Sequence, residues 1–468
     1  MARTKRKRAE GDKKGKHKQA KPTIVLDMST MASKPGWRTE FYNKEVIVIE
    51  DSPTPPPPMK PVEDLHLPPF ASTRSRKGKR GYNDTFASIT IASPKKRKQP
   101  GTDATKPLDT PSGRPAPFLP CPDDKDGYYI IKPNCLLTKR YMMLRLLGQG
   151  TYGKVVECYD RVRHTHCAIK IIRSIQKYRD ASNVEIRVLN ALKQHDPLNL
   201  NKCIHLREWF EHENHVCMVF ELLGKSIFDF LKQNHFKPFP LAHIQQFAKQ
   251  LLSSIAFVHS LKLIHTDLKP ENILLVNHET VAHPSKRASD SPFLTLKQTD
   301  IRLIDFGAAT FEKDHHSPVV STRHYRAPEI ILGTGWSYPC DIWSIGCILV
   351  ELFTGDALFQ THDDLEHLAM MNVVLGKFPP SLIHQSIARG QSYFKDNKLR
   401  YPIDKTTPQS QKYVKSLRLL TSLIAISSPP TSTQLLFLDL LVKMLAYEPG
   451  DRISAREALK HPFFHLKL

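Results

Sequence analysis

The sequence has little of what holds a secreted or membrane-embedded protein together. Its eight cysteines (121, 135, 158, 167, 203, 217, 340 and 347) are scattered, with no Cys-x-x-Cys pair. That argues against a disulfide framework or a zinc site and for a reduced, intracellular compartment. No apolar run is long enough to span a bilayer, and the longest, Ile342 to Phe353, reads as a buried core helix. The N-terminus, Met1 to Arg8, is basic but leads into no apolar segment, so it does not read as a secretory signal. The first 140 residues also lack hydrophobic periodicity. They hold 29 Lys and Arg against 15 Asp and Glu, a net +14 of the chain's +22, and more than half of its 36 prolines, including Pro55 to Pro58. With so little apolar surface to offset chain ordering, residues 1–138 are expected to form a disordered, basic, Pro-rich tail.

Three basic clusters punctuate that tail: Lys5 to Arg8, Arg74 to Arg80 and Lys95 to Lys98. Together they point to the nucleus, alone or shared with the cytoplasm. Few aromatics are interleaved with the charge and no reading module is present, so specific nucleic-acid binding is not expected. One segment differs, Val46-Ile47-Val48-Ile49-Glu50-Asp51-Ser52, which is β-prone, apolar and closed by acids. It is similar to a SUMO-interaction motif, a strand that adds to a partner's sheet edge, and is also compatible with a fortuitous β-branched run.

From about Tyr141 the pattern changes. Val155-Val156 and Cys167 to Ile172 read as strands, residues 182–194 as a helix, and Ile244, Phe247, Leu251, Ile255 and Val258 as the apolar stripe of another helix. The remainder to Phe464 is mostly helical. This order predicts an α+β, bilobal fold over residues 139–464, with a small strand-rich lobe over about 141–222 and a large helical lobe over about 223–464.

The chemistry is carried by motifs in a fixed order. Gly148-Gln149-Gly150-Thr151-Tyr152-Gly153-Lys154-Val155 matches GxGxxGxV, in which glycines let backbone amides approach phosphate oxygens. Lys170 follows on an apolar strand, where it needs anionic partners and suits the α- and β-phosphates of ATP. Glu185 is its expected protein partner, turned inwards from a helix whose apolar stripe is read as Val184, Val188 and Leu189. The octapeptide His265-Thr266-Asp267-Leu268-Lys269-Pro270-Glu271-Asn272 and then Asp305-Phe306-Gly307 add the rest. Asp267 is placed to accept or orient a substrate hydroxyl proton and Lys269 to stabilise the transferring phosphoryl, with Asn272 and Asp305 as oxygen ligands for Mg²⁺. Ser321-Thr322-Arg323-His324-Tyr325-Arg326-Ala327-Pro328-Glu329 closes an activation segment. The run Asp341 to Cys347 reads as a helix supporting the catalytic loop, and Arg452 as the partner of Glu329.

On these motifs residues 141–464 resemble a eukaryotic protein kinase. The octapeptide, the Ser321–Glu329 stretch and Glu366-His367-Leu368-Ala369-Met370-Met371 are similar to the Cdc-like, or LAMMER, dual-specificity family of the CMGC group. The last signature continues Asn372-Val373 where that family has Glu-Arg. The resemblance implies a gatekeeper at Phe220, a hinge at Glu221-Leu222-Leu223, further ATP-binding residues Leu147, Ala168 and Leu274, and a hairpin insert from Asn277 to Thr299. It further implies phosphorylation of Ser/Thr in Arg/Ser-rich splicing factors, autophosphorylation on tyrosine, and a monomer. Readings left open are a DYRK-like kinase, although its Tyr-x-Tyr is missing, a pseudokinase, and an RNA-associated scaffold. Thr266 stands where most kinases carry arginine, the cation that an activation-loop phosphate neutralises. Activity without such a phosphate is therefore expected.

Overall fold

A computed structural model describes residues 123–284, 293–390 and 392–468. The three basic clusters and the Val46–Ile49 segment lie outside the described residues.

The strand-dense first part of the described chain forms a five-stranded antiparallel sheet of order β1-β2-β3-β5-β4. Its strands are β1 (Tyr141–Gln149), β2 (Gly153–Asp160), β3 (Thr165–Ile172), β4 (Glu208–His212) and β5 (His215–Glu221). β3 is central and buried from Cys167 to Ile172, as a near-continuous apolar run should be. Register sets Lys170 opposite Val155 on one side and Met218 on the other. Gly153 starts β2 for a steric reason: a Cβ there would lie 2.1 Å from the Ile171 carbonyl oxygen.

Helix α1 (Gln176–His195) packs on this sheet and starts a turn and a half before the predicted 182. Tyr178 holds the extra turn, with its ring 5.7 Å from that of Tyr152 and under the Arg173 guanidinium. The buried stripe is Tyr178, Ser182, Glu185, Ile186, Val188, Leu189 and Leu192, whereas Val184 is exposed. The inward placement of Glu185 is thus found, but Val184 does not belong to its stripe.

Residues 123–138, assigned to the tail from sequence, are part of this lobe. Tyr129 and Leu137 are buried in one apolar cluster with Tyr141, Met143, Val156 and Ile169. The sequence does not reveal this, because single side chains anchor the segment and an island as short as Tyr128 to Ile131 shows no period.

The second lobe is mainly helical: α2 (Ile227–Gln233), α3 (Leu241–Ser260), α4 (Pro328–Ile331), α5 (Pro339–Thr354), α6 (Asp364–Val374) and further helices to the C-terminus. The five predicted apolar positions of α3 are all buried. α5 is buried along nearly all its length and ends at Gly355, where φ is +83° and an added Cβ would lie 2.0 Å from the Phe236 carbonyl oxygen, which excludes a side chain. Two small ribbons then fix the site: β6 (Leu263–Ile264) pairs with β11 (Thr310–Phe311), and β7 (Ile273–Leu275) with β10 (Ile301–Leu303). They bring residues 265–272 beside 304–309. The insert forms the expected hairpin, β8 (Thr280–His283) against β9 (Phe293–Leu296).

Because residues 123–138 contribute to the small lobe's core, removing residues 1–138 is expected to lower the melting temperature roughly 5 °C or more beyond removal of residues 1–122. Thermal unfolding of the two truncations checks this, and coincident midpoints would contradict it.

Candidate active site

The strand β3 delivers Lys170 and the helix α1 delivers Glu185, and the two meet in a buried ion pair. Lys170 Nζ donates to both Glu185 carboxylate oxygens at 2.7 and 2.8 Å and lies 3.6 Å from Asp305 Oδ1. Burial opposes the charge on Lys170, but the two carboxylates outweigh it and the ammonium's pKa is raised. Burial, opposed by Lys170, raises that of Glu185. Leu147, Val155, Ala168, Phe220 and Leu223 share one apolar cluster, with Ala168 paired to Phe220 across β3 and β5. Leu274 lies on β7 opposite Arg302, and Arg302 Nε donates to the Glu221 carboxylate at 3.1 Å. Of the glycine-loop residues, Lys154 turns elsewhere: its ammonium donates to the Tyr129 carbonyl at 3.0 Å and lies 3.5 Å from Asp124. Strand alternation sends its side chain to the opposite face from Val155, so only its backbone is left to meet a nucleotide.

Between β6 and β7 the catalytic loop is held by a buried carboxylate on α5. Asp341 accepts from the amides of His265 and Thr266, each at 2.9 Å, and from His259 Nε2 at 2.9 Å. Burial raises the pKa of Asp341, but these partners outweigh it and leave it below the ordinary carboxylate range. Thr266 sits at φ +68°, unusual for a β-branched residue, and its hydroxyl donates to the Ala308 carbonyl at 2.9 Å. Asp305 is also at positive φ, the Ile304 amide donates to the Asn272 carbonyl at 2.9 Å, and buried Phe306 packs edge-on to His265.

Asp267 is the hub of the resulting constellation. Lys269 Nζ donates to its Oδ2 at 2.7 Å, the Thr322 hydroxyl to its Oδ1 at 2.6 Å, and the Asn272 amide nitrogen to its carbonyl at 2.9 Å. Burial pushes the pKa of Asp267 up, but Lys269 and Thr322 pull harder and hold it below the usual range. A carboxylate so stabilised is a weak base, suited to orienting a substrate hydroxyl and taking its proton late. Asn272 uses its amide nitrogen, not its amide oxygen, in its bond to the Asp267 carbonyl. No three His, Cys, Asp or Glu side chains among the described residues form a closed metal cage. Asn272 and Asp305 are oxygen donors of the kind a divalent cation takes.

Sequence reasoning placed Ser321 and Thr322 in the activation segment without roles. Thr322 also meets Lys269 Nζ at 3.2 Å, so it joins the catalytic loop directly. Ser321 stands at φ +69° and contributes its carbonyl, which accepts from Arg326 Nη2 at 3.0 Å, while Arg326 Nε donates to Val320. Arg323 pairs with Asp364 at the start of α6, and Trp336 Nε1 donates to the Ser317 carbonyl at 2.8 Å. The segment is thus fastened by the chain's own groups. Behind it Arg452 makes two parallel bonds to Glu329, at 2.8 and 3.0 Å, both side chains fully buried, as expected. Asn372 and Val373 are half-buried at the end of α6, Val373 against the core.

Residues 141–464 match the family model described as protein kinase domain. The chain belongs to the protein kinase family. It is similar to the dual specificity protein kinase lkh1 of Schizosaccharomyces pombe, 51% identical over 82% of this chain and 56% of that protein. It is also similar to the serine/threonine-protein kinase AFC1 of Arabidopsis thaliana, 49% identical over 73% of this chain and 74% of the relative. The human dual specificity protein kinase CLK4 is 46% identical over 74% and 70%. A crystallised kinase domain superposes with a TM-score of 0.67 at 34% identity, covering 73% of this chain and all of the other. The chain spans little more than half of lkh1 and about three-quarters of the plant kinase. The relatives place this kinase with the Cdc-like, LAMMER dual-specificity group.

Loss of turnover in Thr322→Ala does not by itself mark a phosphorylation site, since the hydroxyl already binds Asp267 and Lys269. Thr322→Ala is expected to lower kcat by about 10- to 100-fold, the worth of a hydrogen bond to a charged group, and Thr322→Ser to restore most of it. Steady-state kinetics of the two variants decide; full turnover in the alanine variant would remove the hydroxyl from the mechanism.

Proposed function

We propose that the chain transfers the γ-phosphoryl of Mg²⁺-ATP to serine and threonine, and to tyrosine on itself, in Arg/Ser-rich nuclear proteins such as splicing factors. The observation that carries the chemistry is Asp267, held at one oxygen by Lys269 and at the other by Thr322, in a fold where the Lys170–Glu185 pair is already closed. Asp267 orients the acceptor hydroxyl and receives its proton, and Lys269 carries part of the charge on the transferring group. Lys170 meets the α- and β-phosphates beneath the glycine loop. Asn272 and Asp305 would hold Mg²⁺, which when bound would supply positive charge to offset that of the phosphates. Phosphoryl transfer depends on positioning and electrostatics, which argues against a pseudokinase here, since every required group is present and oriented.

Acidic groups beside the catalytic loop support a basic substrate. Glu271 has a buried carboxylate oxygen with no hydrogen-bond partner among the described residues, and burial raises its pKa, with Asp267 and Asp229 adding to the rise. Lys269 offsets part of this charge, and a substrate guanidinium reaching partly buried Glu271 would pair with the remainder. The basic clusters support a nuclear location, and Val46–Ile49 a SUMO contact, both from sequence.

The test is Mg²⁺-ATP turnover on an Arg/Ser peptide and on a neutral peptide, by wild type, Asp267→Asn and Glu271→Gln. Asp267→Asn is expected to lose about a hundredfold or more in kcat, and Glu271→Gln to lose much of the preference for the Arg/Ser peptide. Equal turnover by wild type and Asp267→Asn would end the catalytic assignment. A wild-type preference for the neutral peptide would leave the kinase and remove its substrate class.

A further inference from the structure

The glycine-rich loop is gripped from a segment that carries none of the motifs. Asp123 accepts from the Ser174 hydroxyl at 2.5 Å and meets Nε2 of fully buried His215 at 2.7 Å. Asp124 Oδ1 accepts from the amides of Asp126 at 3.1 Å and Tyr128 at 2.9 Å, closing a tight turn. The Asp126 carbonyl accepts from Arg173 Nε at 2.8 Å, and the Gly127 carbonyl from the Ser174 amide at 3.0 Å. Tyr129 is buried edge-on to His215, with centroids 5.2 Å apart. The segment is therefore fixed at both ends.

Between those anchors the Tyr128 hydroxyl donates to the Gly150 carbonyl at 2.9 Å. Its ring lies 4.4 Å from the Arg173 guanidinium carbon, which is 4.7 Å from the Tyr178 ring. Arg173 completes the grip: its Nη1 reaches the Thr151 carbonyl at 3.3 Å and its backbone amide donates to the Tyr152 carbonyl at 2.9 Å. Three consecutive carbonyls at the loop tip are thus held by two residues. A trans peptide unit is planar, with its C=O and N–H opposed. Fixing the carbonyls of Gly150 and Thr151 therefore aims the amides of Thr151 and Tyr152 away from the brace. Those are amides of the loop that must meet phosphate oxygens.

We propose that Asp123–Tyr129 is a brace for the nucleotide loop and that Tyr128 is a positioning residue for ATP, acting through the Gly150–Thr151 peptide unit. This rests on the kinase reading for the identity of the nucleotide. Burial raises the Tyr128 pKa and keeps the hydroxyl a donor. The brace acts on how well the phosphates are cradled, and Asp267, Lys269 and Thr322 are left as they are, so the effect falls on nucleotide affinity.

The experiment uses the full chain carrying Tyr128→Phe, which keeps the ring over Arg173 and removes only the hydroxyl. Calorimetry with a non-hydrolysable ATP analogue and Mg²⁺ gives Kd, and peptide phosphorylation gives kcat and both KM values. Kd and the KM for ATP are expected to rise about three- to tenfold, the worth of one hydrogen bond, while kcat, the KM for peptide and the melting temperature hold. An unchanged Kd would overturn the proposal, and so would a joint fall of kcat and melting temperature, which would reduce the segment to a structural prop. A wild type that binds the analogue but phosphorylates nothing would defeat the kinase reading instead, with the brace still decided by the two Kd values.

Discussion

The cleft depends on one buried carboxylate. Asp341, on a helix with almost no exposed surface, takes the amides of His265 and Thr266 and the ring of His259. A charge this deep is tolerated only when its lone pairs are occupied, and occupying them forces the catalytic loop into one path. The cost is visible at Thr266, a β-branched residue at φ +68°, a conformation worth about 1–3 kcal/mol of strain. Two hydrogen bonds offset it, one to Asp341 and one to the Ala308 carbonyl. The loop so placed presents Asp267, Lys269 and Asn272 together, and the paired ribbons β6/β11 and β7/β10 set Asp305 beside them.

The site is built as opposed charges that satisfy one another. Lys170 is shared between Glu185 and Asp305, and Lys269 is taken by Asp267. Each pair is costly to bury and costlier to break, so the geometry is stiff. The activation segment follows the same logic, since Arg326 binds the Val320 and Ser321 carbonyls and Arg323 binds Asp364. In many kinases an arginine at the position of Thr266 leaves a cation for a phosphate to neutralise. Here the hydroxyl of Thr266 ties the two loops directly.

Much of this was legible in the sequence because the chemistry uses residues at fixed separations. The glycines, Lys170, Asp267, Lys269, Asn272 and Asp305 stand in an order that admits few other readings, and the apolar stripe of α3 has the helical period. What escaped depends on contacts between distant side chains, which leave no period. Glu185 was found by its role, but Val184 is exposed and Ile186 takes its place in the core. Lys154 fits the phosphate motif by position, yet bonds to Tyr129. Residues 123–138 share the composition of the tail and are held by a few anchors such as Asp123 and Tyr129. Thr322 has no signature beyond its place before the APE motif, although its hydroxyl is 2.6 Å from the central carboxylate.

The central claim is that the chain's own contacts assemble the site without a phosphate on the activation segment. The direct measurement is the initial rate of peptide phosphorylation by protein shown by mass spectrometry to be phosphate-free at Ser317, Ser321 and Thr322, followed from mixing with Mg²⁺-ATP. The account predicts a linear onset and a rate within about twofold of the untreated enzyme. A lag that disappears after preincubation with Mg²⁺-ATP, with a rise of about tenfold or more, would contradict it.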